Sequence, residues 1–396
     1  MWRMPVPSRI IALNKVLPQG ILRFRLSSAD ALEAAAQKST GRKAELTPAS
    51  REALRVLLKS YATSAQLHPL GEITSAVNLL TLLKHQLGLN AEVAHSPTIA
   101  ARPIRTPLVI TGLPRTGSTL LYNLLAFDEQ WRVPMSWEAS KPAPLATSAS
   151  SRYVRIARAN AQFGLIEQLN PGFRAIHELD ARLPQECLVI QAAAVRSHLF
   201  YSATFVPEYQ DWLDAQPQQL AYTHHRLFLQ YLQGDSPKRW LLKAPSHLFS
   251  LAGLLETYPD VRLIHTQRTP AEVVASIASL QWHLYQTFSN FTDVEELGRQ
   301  VCKRWGDAHR TFTETLAGSN SLRERTFSMD YGRLSEDPLG QIKALYEFFE
   351  LQLSPDTEQK MQLYLQKRPQ HHFGKHHYKL ADYGLTERSV RLAFGD

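Results

Sequence analysis

Residues 107–121 read PLVITGLPRTGSTLL, and the fold is decided there. Leu108, Val109, Ile110 and Thr111 form a short apolar run of strand character. Gly112-Leu113-Pro114-Arg115-Thr116-Gly117-Ser118-Thr119 is a turn rich in glycine and hydroxyls, and Leu120, Leu121, Leu124 and Leu125 follow at helical spacing. Strand, glycine loop and helix together make an anion cradle, because successive backbone N–H groups and a helix N-terminus converge on one point. The nucleotide-phosphate pattern G-x-x-x-x-G-K-[ST] nearly fits. Gly112 and Gly117 are correctly spaced and Thr119 occupies the Ser/Thr position, but Ser118 stands where the pattern has lysine, and the nearest cation is Arg115 inside the loop. Such a loop predicts phosphate binding and argues against an ordinary ATPase or kinase. A corner that merely packs is the plain alternative, and a Pro-Arg-Thr-Gly-Ser-Thr string offers a core little.

The rest of the chain is ordinary globular material. Its 396 residues are 44% hydrophobic and 20% charged, enough for one large domain or two modest ones with a sizeable core. Cys187 and Cys302 are the only cysteines, too few and too far apart for a disulfide framework or a metal site, so a reducing, cytoplasmic setting is expected. No apolar run is long enough to span a bilayer, and Pro5 and Pro7 interrupt the N-terminus, which reads as neither signal peptide nor anchor. The net charge of +8 and pI of about 9.4 fit an anionic small ligand. The basic residues are scattered and carry no RNA-binding aromatic signature, which argues against nucleic acid.

Along the chain, residues 1–100 read as a helical extension: Ser28 caps one helix, Thr47-Pro48 starts a second, and Leu79 to Leu87 mark a third closed by Gly88. Its expected role is structural, with acceptor-pocket shaping or a homodimer contact as alternatives. The Pro-rich stretch 96–107 marks the boundary, so residues 101–396 form the main domain. Residues 130–150 read as loop, 151–169 as a basic amphipathic helix, and Pro184 to Val195 as an apolar helix. The aromatic-rich stretch 198–213 reads first as core, with a pocket lining as the alternative. Strands are expected at 239–243, 261–266 and 327–329, with helices between them. That alternation gives an α/β domain with a mostly parallel sheet, whose ligands bind beyond the C-terminal strand ends.

Three motifs follow three of these strands: PRTGSTLL, then LLKAPSHL, then IHTQRTPAEVVASIASL. In the last, Arg268 sits at the strand end and Ser276 eight residues on, about two turns into the helix, so that a cation and a hydroxyl can share one phosphate. On these residues the chain resembles the bacterial-type branch of the sulfotransferases that use 3′-phosphoadenosine-5′-phosphosulfate (PAPS), over nearly all of residues 100–390. The resemblance implies a P-loop-like three-layer α/β/α fold. Pro114-Arg115-Thr116-Gly117-Ser118-Thr119 matches the family's 5′-phosphosulfate loop, and Arg268 with Ser276 its 3′-phosphate motif. Trp240-Leu241-Leu242-Lys243-Ala244-Pro245-Ser246-His247 matches a W-[VL]-L-K-[SA]-P-x-H run whose lysine contacts the transferring sulfonate in related enzymes. Tyr331 matches a tyrosine near the adenine. Lys375, in a His- and Lys-dense tail (371–385), corresponds to a basic loop that closes over the 3′-phosphate; a solvated basic tail is the plain reading.

The implied reaction is in-line transfer of a sulfuryl group from PAPS to a hydroxyl, or an amine, of a small or lipid-like acceptor, with adenosine 3′,5′-bisphosphate released and no metal required. Such a transfer needs charge neutralisation, alignment and a base. Arg115 and Lys243 are the expected cations, and the amides of residues 116–119 the expected cradle. For the base, Glu138 and His177 are the first candidates and Glu186 the third; a loop charge, a loop histidine and a helix cap are their plain alternatives. A P-loop small-molecule kinase or NTPase is the competing function, opposed by the missing lysine and the lack of an obvious Mg²⁺-binding aspartate at a strand end.

Overall fold

Alternating apolar residues build the central sheet of the computed structural model, which describes residues 7–17, 28–41, 44–170, 178–367 and 378–395. Its five strands are β1 (Leu108–Gly112), β2 (Trp131–Arg132), β3 (Arg239–Lys243), β4 (Arg262–Gln267) and β5 (Thr326–Asp330), in the spatial order β2-β3-β1-β4-β5. Every pairing among them is parallel. In β1, Val109 points into a core with Trp240, Leu242 and Leu263. Leu108 and Ile110 point the other way, to Leu241, Ile264 and Met329. This period of two leaves apolar surface on both faces, and helices must cover it. Residues from the helices Gln219–Gln233, Pro270–Phe288 and Val294–Ala317 join the first core. Those from Ser118–Leu125 and Pro338–Phe348 join the second. The result is the three-layer α/β/α arrangement.

The chain runs from β1 outward to β2 and β3, then crosses back to β4 and β5 on the opposite side. The strand order therefore switches direction at β1, and the loop after β1 opens at that switch, where parallel sheets bind ligands.

The N-terminal helices Ala29–Thr40, Pro48–Thr63 and Pro69–His95 form a layer of their own. Ser28 and Thr47 cap the first two, each accepting from an amide three residues on at 3.1 Å. The third runs through Gly88, where the sequence suggested a stop, because intact apolar spacing outweighs the modest helix cost of one glycine. These helices share a hydrophobic cluster with Phe200, Tyr201, Val206 and Tyr209 from the aromatic-rich stretch, which thus serves as core. Two further differences concern segments read as uniform. Residues 130–150 hold β2 and a short helix, Ser136–Ser140, and the apolar helix after Pro184 contracts to Cys187–Ala192.

Candidate active site

The loop after β1 is shaped by two glycines. Gly112 has φ of +139°, and a Cβ there would lie 2.2 Å from the Thr266 carbonyl oxygen of β4, so any side chain would force the two central strands apart. Gly117, with φ of +75°, is the N-cap of the helix Ser118–Leu125. A Cβ there would come within 3.0 Å of Leu334 and 3.2 Å of Tyr331. Arg115 also has positive φ, +66°, an uncommon state for a residue with a side chain and one often found at ligand clamps. Thr116 locks the turn: its buried hydroxyl donates to the Leu113 carbonyl at 2.7 Å and shares a 2.6 Å hydrogen bond with the Thr266 hydroxyl. What Thr116 has for a ligand is therefore its amide. The first amides of the following helix have no intrahelical acceptor by helix geometry, and they point out of its N-terminus.

β4 and β5 supply the other wall of this cradle. Arg268, just beyond β4, donates to the Arg115 carbonyl at 3.1 Å and to the Glu272 carboxylate at 2.7 Å. Its guanidinium lies 4.2 Å from the centroid of the Tyr331 ring, a cation–π stack. Tyr331 follows β5 directly and opens the helix Tyr331–Glu336. Arg115, Gly117, Arg268 and Tyr331, which the sequence suggested separately, thus meet at one place. Ser276 is buried two turns along the helix Pro270–Phe288, and among the described residues no hydrogen bond joins it to Arg268.

Lys243 ends β3, with only 3% of its side chain exposed. A buried ammonium needs partners, and it has two: the Thr119 hydroxyl at 3.1 Å and the Glu186 carboxylate, with which it forms an ion pair. Glu186 stands at the N-cap of Cys187–Ala192 but makes no side-chain cap there; the carboxylate turns to Lys243 instead. Its segment is fixed by the Gln185 amide, which donates to the Pro134 carbonyl at 2.7 Å. A small cavity beside Lys243 is lined by Thr119, Asn123, Phe163, Asp180 and Glu186.

Glu138 has other commitments. It is buried at the start of Ser136–Ser140, accepts from the Met135 amide at 3.0 Å and pairs with Arg132. Arg132 in turn lies over the Trp240 ring at 5.1 Å. His177 and Lys375 lie outside the described residues. Two neighbours of the site are chemically quiet. Burial pushes the Cys187 thiol up to about 12. Burial, aided by His198, pushes His247 down to about 3, leaving a neutral imidazole hydrogen-bonded to the Tyr222 hydroxyl at 2.6 Å.

A wider cleft lies between Pro207–Asp214 and Val294–Ala317, but none of the candidate residues lines it. Its buried cation, Arg304, is already paired with Asp211 at 2.6 Å and Asp214 at 2.8 Å.

The family profile described as the sulfotransferase family matches residues 107–355, from β1 past β5. This chain belongs to the sulfotransferase family. It is an enzyme that transfers a sulfuryl group. The omega-hydroxy-beta-dihydromenaquinone-9 sulfotransferase Stf3 of Mycobacterium bovis is 28% identical over 287 residues, which span 68% of this chain and 69% of that protein; its Mycobacterium tuberculosis counterpart matches equally. Among solved structures, sulfotransferase STF1 from Mycobacterium tuberculosis H37Rv superposes with a TM-score of 0.80 at 31% identity, covering 94% of this chain and 99% of that one. STF9 from Mycobacterium avium superposes with a TM-score of 0.83 at 27% identity, covering 93% and 95%.

Two features of this sulfotransferase site were not foreseen from sequence. Thr266 pins the loop from β4, and Glu186 is the partner of Lys243. The first had a signal in the hydroxyl at the end of a predicted strand; the second had none, because 57 residues separate the pair.

Proposed function

We propose that the sulfuryl donor is PAPS, that the acceptor is a hydroxyl on a lipid-like or small molecule, and that Glu186 accepts the hydroxyl proton. The observation that carries the reading is the position of Lys243, whose ammonium bonds at once to Thr119 of the glycine loop and to Glu186 on the opposite wall. A cation shared in this way suits a group in transit between the two walls.

In this reading the 5′-phosphosulfate rests on the amides of residues 116–119, with Arg115 and Lys243 balancing its charge. The 3′-phosphate meets Arg268 and Ser276, and Tyr331 lies along the adenine. The acceptor oxygen attacks sulfur in line with the scissile bond. The sulfur–oxygen bond to the 5′-phosphate breaks, and its electron pair leaves with adenosine 3′,5′-bisphosphate. The acceptor's proton passes to a carboxylate. Glu186 is preferred over Glu138 because it lines the cavity beside Lys243, whereas both oxygens of Glu138 are held by Arg132 and the Met135 amide. A lipid-like acceptor is favoured by the relative named for an omega-hydroxylated dihydromenaquinone and by Phe163 in the cavity lining.

The test incubates the protein with PAPS and a panel of hydroxylated lipids and metabolites and seeks a sulfonate adduct by mass spectrometry. An adduct on a long-chain terminal alcohol is the expected outcome. Calorimetry provides the counter-test, since Mg-ATP bound much more tightly than adenosine 3′,5′-bisphosphate would replace the PAPS reading with that of a nucleotide triphosphate enzyme.

A further inference from the structure

The parallel register that pairs Gly112 of β1 with Thr266 of β4 brings Arg268, two residues further on, to the glycine loop. There its planar guanidinium is held on three sides. Nε donates to the Glu272 carboxylate at 2.7 Å, Nη1 donates to the Arg115 carbonyl at 3.1 Å, and the Tyr331 ring lies beneath. Glu272 is itself well placed, in the first turn of the helix Pro270–Phe288, where the helix dipole favours a carboxylate. A guanidinium carries five N–H donors, so three remain for an anion once Glu272 and Arg115 are served.

The bond to the Arg115 carbonyl reaches the next residue through the backbone. A trans peptide is planar, and its C=O and N–H point in opposite directions. The Arg115 carbonyl and the Thr116 amide share one such plane, so holding the carbonyl on Arg268 sets the direction of the Thr116 N–H. Among the described residues nothing accepts from that N–H. The Thr116 hydroxyl, by contrast, is taken by Leu113 and Thr266. Arg115 also has φ of +66°, a state that persists in a residue with a side chain only where the surroundings hold it. Arg268 is such a hold, on the one peptide whose N–H is left for a ligand.

We infer that Arg268 is a positioning residue for the glycine loop, keeping the Thr116 amide directed at the bound anion by holding the Arg115 carbonyl. The inference rests on the reading that sets the 5′-phosphosulfate on the loop amides. It adds that the guanidinium given to the 3′-phosphate also sets the transfer end of the site. Negative charge grows on the departing 5′-phosphate as its bond to sulfur breaks, and an oriented N–H there acts on rate. Loss of Arg268 therefore slows transfer as well as weakening donor binding.

Calorimetry with inorganic pyrophosphate, which has neither adenine nor a 3′-phosphate, tests the loop directly. Arg268→Met keeps an unbranched stem over Tyr331 and removes every donor. It should bind pyrophosphate about tenfold more weakly than the wild type. The difference should persist in about 1 M KCl, where the Debye length is about 3 Å and charge alone is screened. A difference that vanishes in high salt would reduce Arg268 to a charge and overturn the inference. So would a loss in Arg268→Ala that Arg268→Met does not share, which would trace it to packing on Tyr331, or a wild type that binds no pyrophosphate. With PAPS at saturation, Arg268→Met should lower kcat about tenfold besides raising KM; a raised KM with kcat unchanged would make Arg268 a ligand of the 3′-phosphate only, and the positioning role would fall. A wild type that shows the salt-resistant difference yet transfers nothing from PAPS would instead sink the PAPS reading and leave the positioning role standing.

Discussion

The loop 112–119 and the segments 131–140 and 178–187 contribute to the same site near Lys243, and they are built in opposite ways. The loop is backbone-made. Its shape comes from Gly112 and Gly117 at positive φ and from Thr116 bonded to Thr266, so local sequence determines it. The other side is side-chain-made. It depends on Glu186 reaching Lys243 and on Glu138 reaching Arg132, contacts between residues that no short motif joins. In the proposed reading the common part of the chemistry, a phosphate, would rest on backbone, and the variable part, an acceptor, on side chains that can change without disturbing the loop.

The sharpest way to break that contrast is to exchange the two carboxylates. Glu186→Gln removes the carboxylate next to Lys243 and should lower kcat by about 10²–10⁴-fold while leaving bisphosphate affinity nearly unchanged. Glu138→Gln loosens the Arg132 pair and should act on stability, costing about 1–3 kcal/mol in denaturant titration, with kcat changed less than about tenfold. The reverse pattern would return the base to Glu138. A loss of kcat in His177→Ala alone, with both glutamine variants active, would assign it to His177.

A smaller effect is expected on the backbone-made side, because many groups share the load there. Arg268→Ala should weaken adenosine 3′,5′-bisphosphate binding by about 10–100-fold, the worth of a charge-assisted contact to phosphate. The Tyr331 ring loses its stacked cation in the same variant. Calorimetry with the variant measures this, and unchanged affinity would remove the 3′-phosphate from Arg268.

These differences explain what the sequence disclosed. The shape of the glycine loop was legible because its signal is local: two glycines at fixed spacing after an apolar run suffice. The strands β3, β4 and β5 were legible as apolar runs between helices. β2 was not, because it is two residues long and its buried Trp131 packs against residues far along the chain, Tyr346 in the core cluster and Arg239, whose guanidinium lies 4.9 Å from the Trp131 ring. Glu186 could not be ranked above Glu138 because both sit beside a proline-containing turn in similar composition. Only the fold decides which of them meets a lysine 57 residues further along the chain. The long helix Ala149–Leu169 was legible as a helix, but that it buries only Ala159 depends on which other elements reach it.

The mildest expected effect concerns proton linkage on the two sides of β1. His247, four residues past Lys243, is pushed down to about 3, and His265 on β4 to about 4, in both cases mainly by burial. An unfolded histidine titrates near 6.5. Between that value and the folded one, the unfolded chain binds the proton and the native chain does not, so stability falls as pH drops below about 6.5 and the loss levels off near the folded values. Each imidazole should cost about 1.4 kcal/mol at about pH 5.5 relative to neutral pH. Urea titrations across this range on the wild type and on His247→Gln check the sign and the size. Glutamine can keep a hydrogen bond to Tyr222 without titrating, so the variant should lose one histidine's share of the slope. An unchanged slope would mean that the native His247 is reached by protons, and that the wall behind Lys243 is wetter than the loop side.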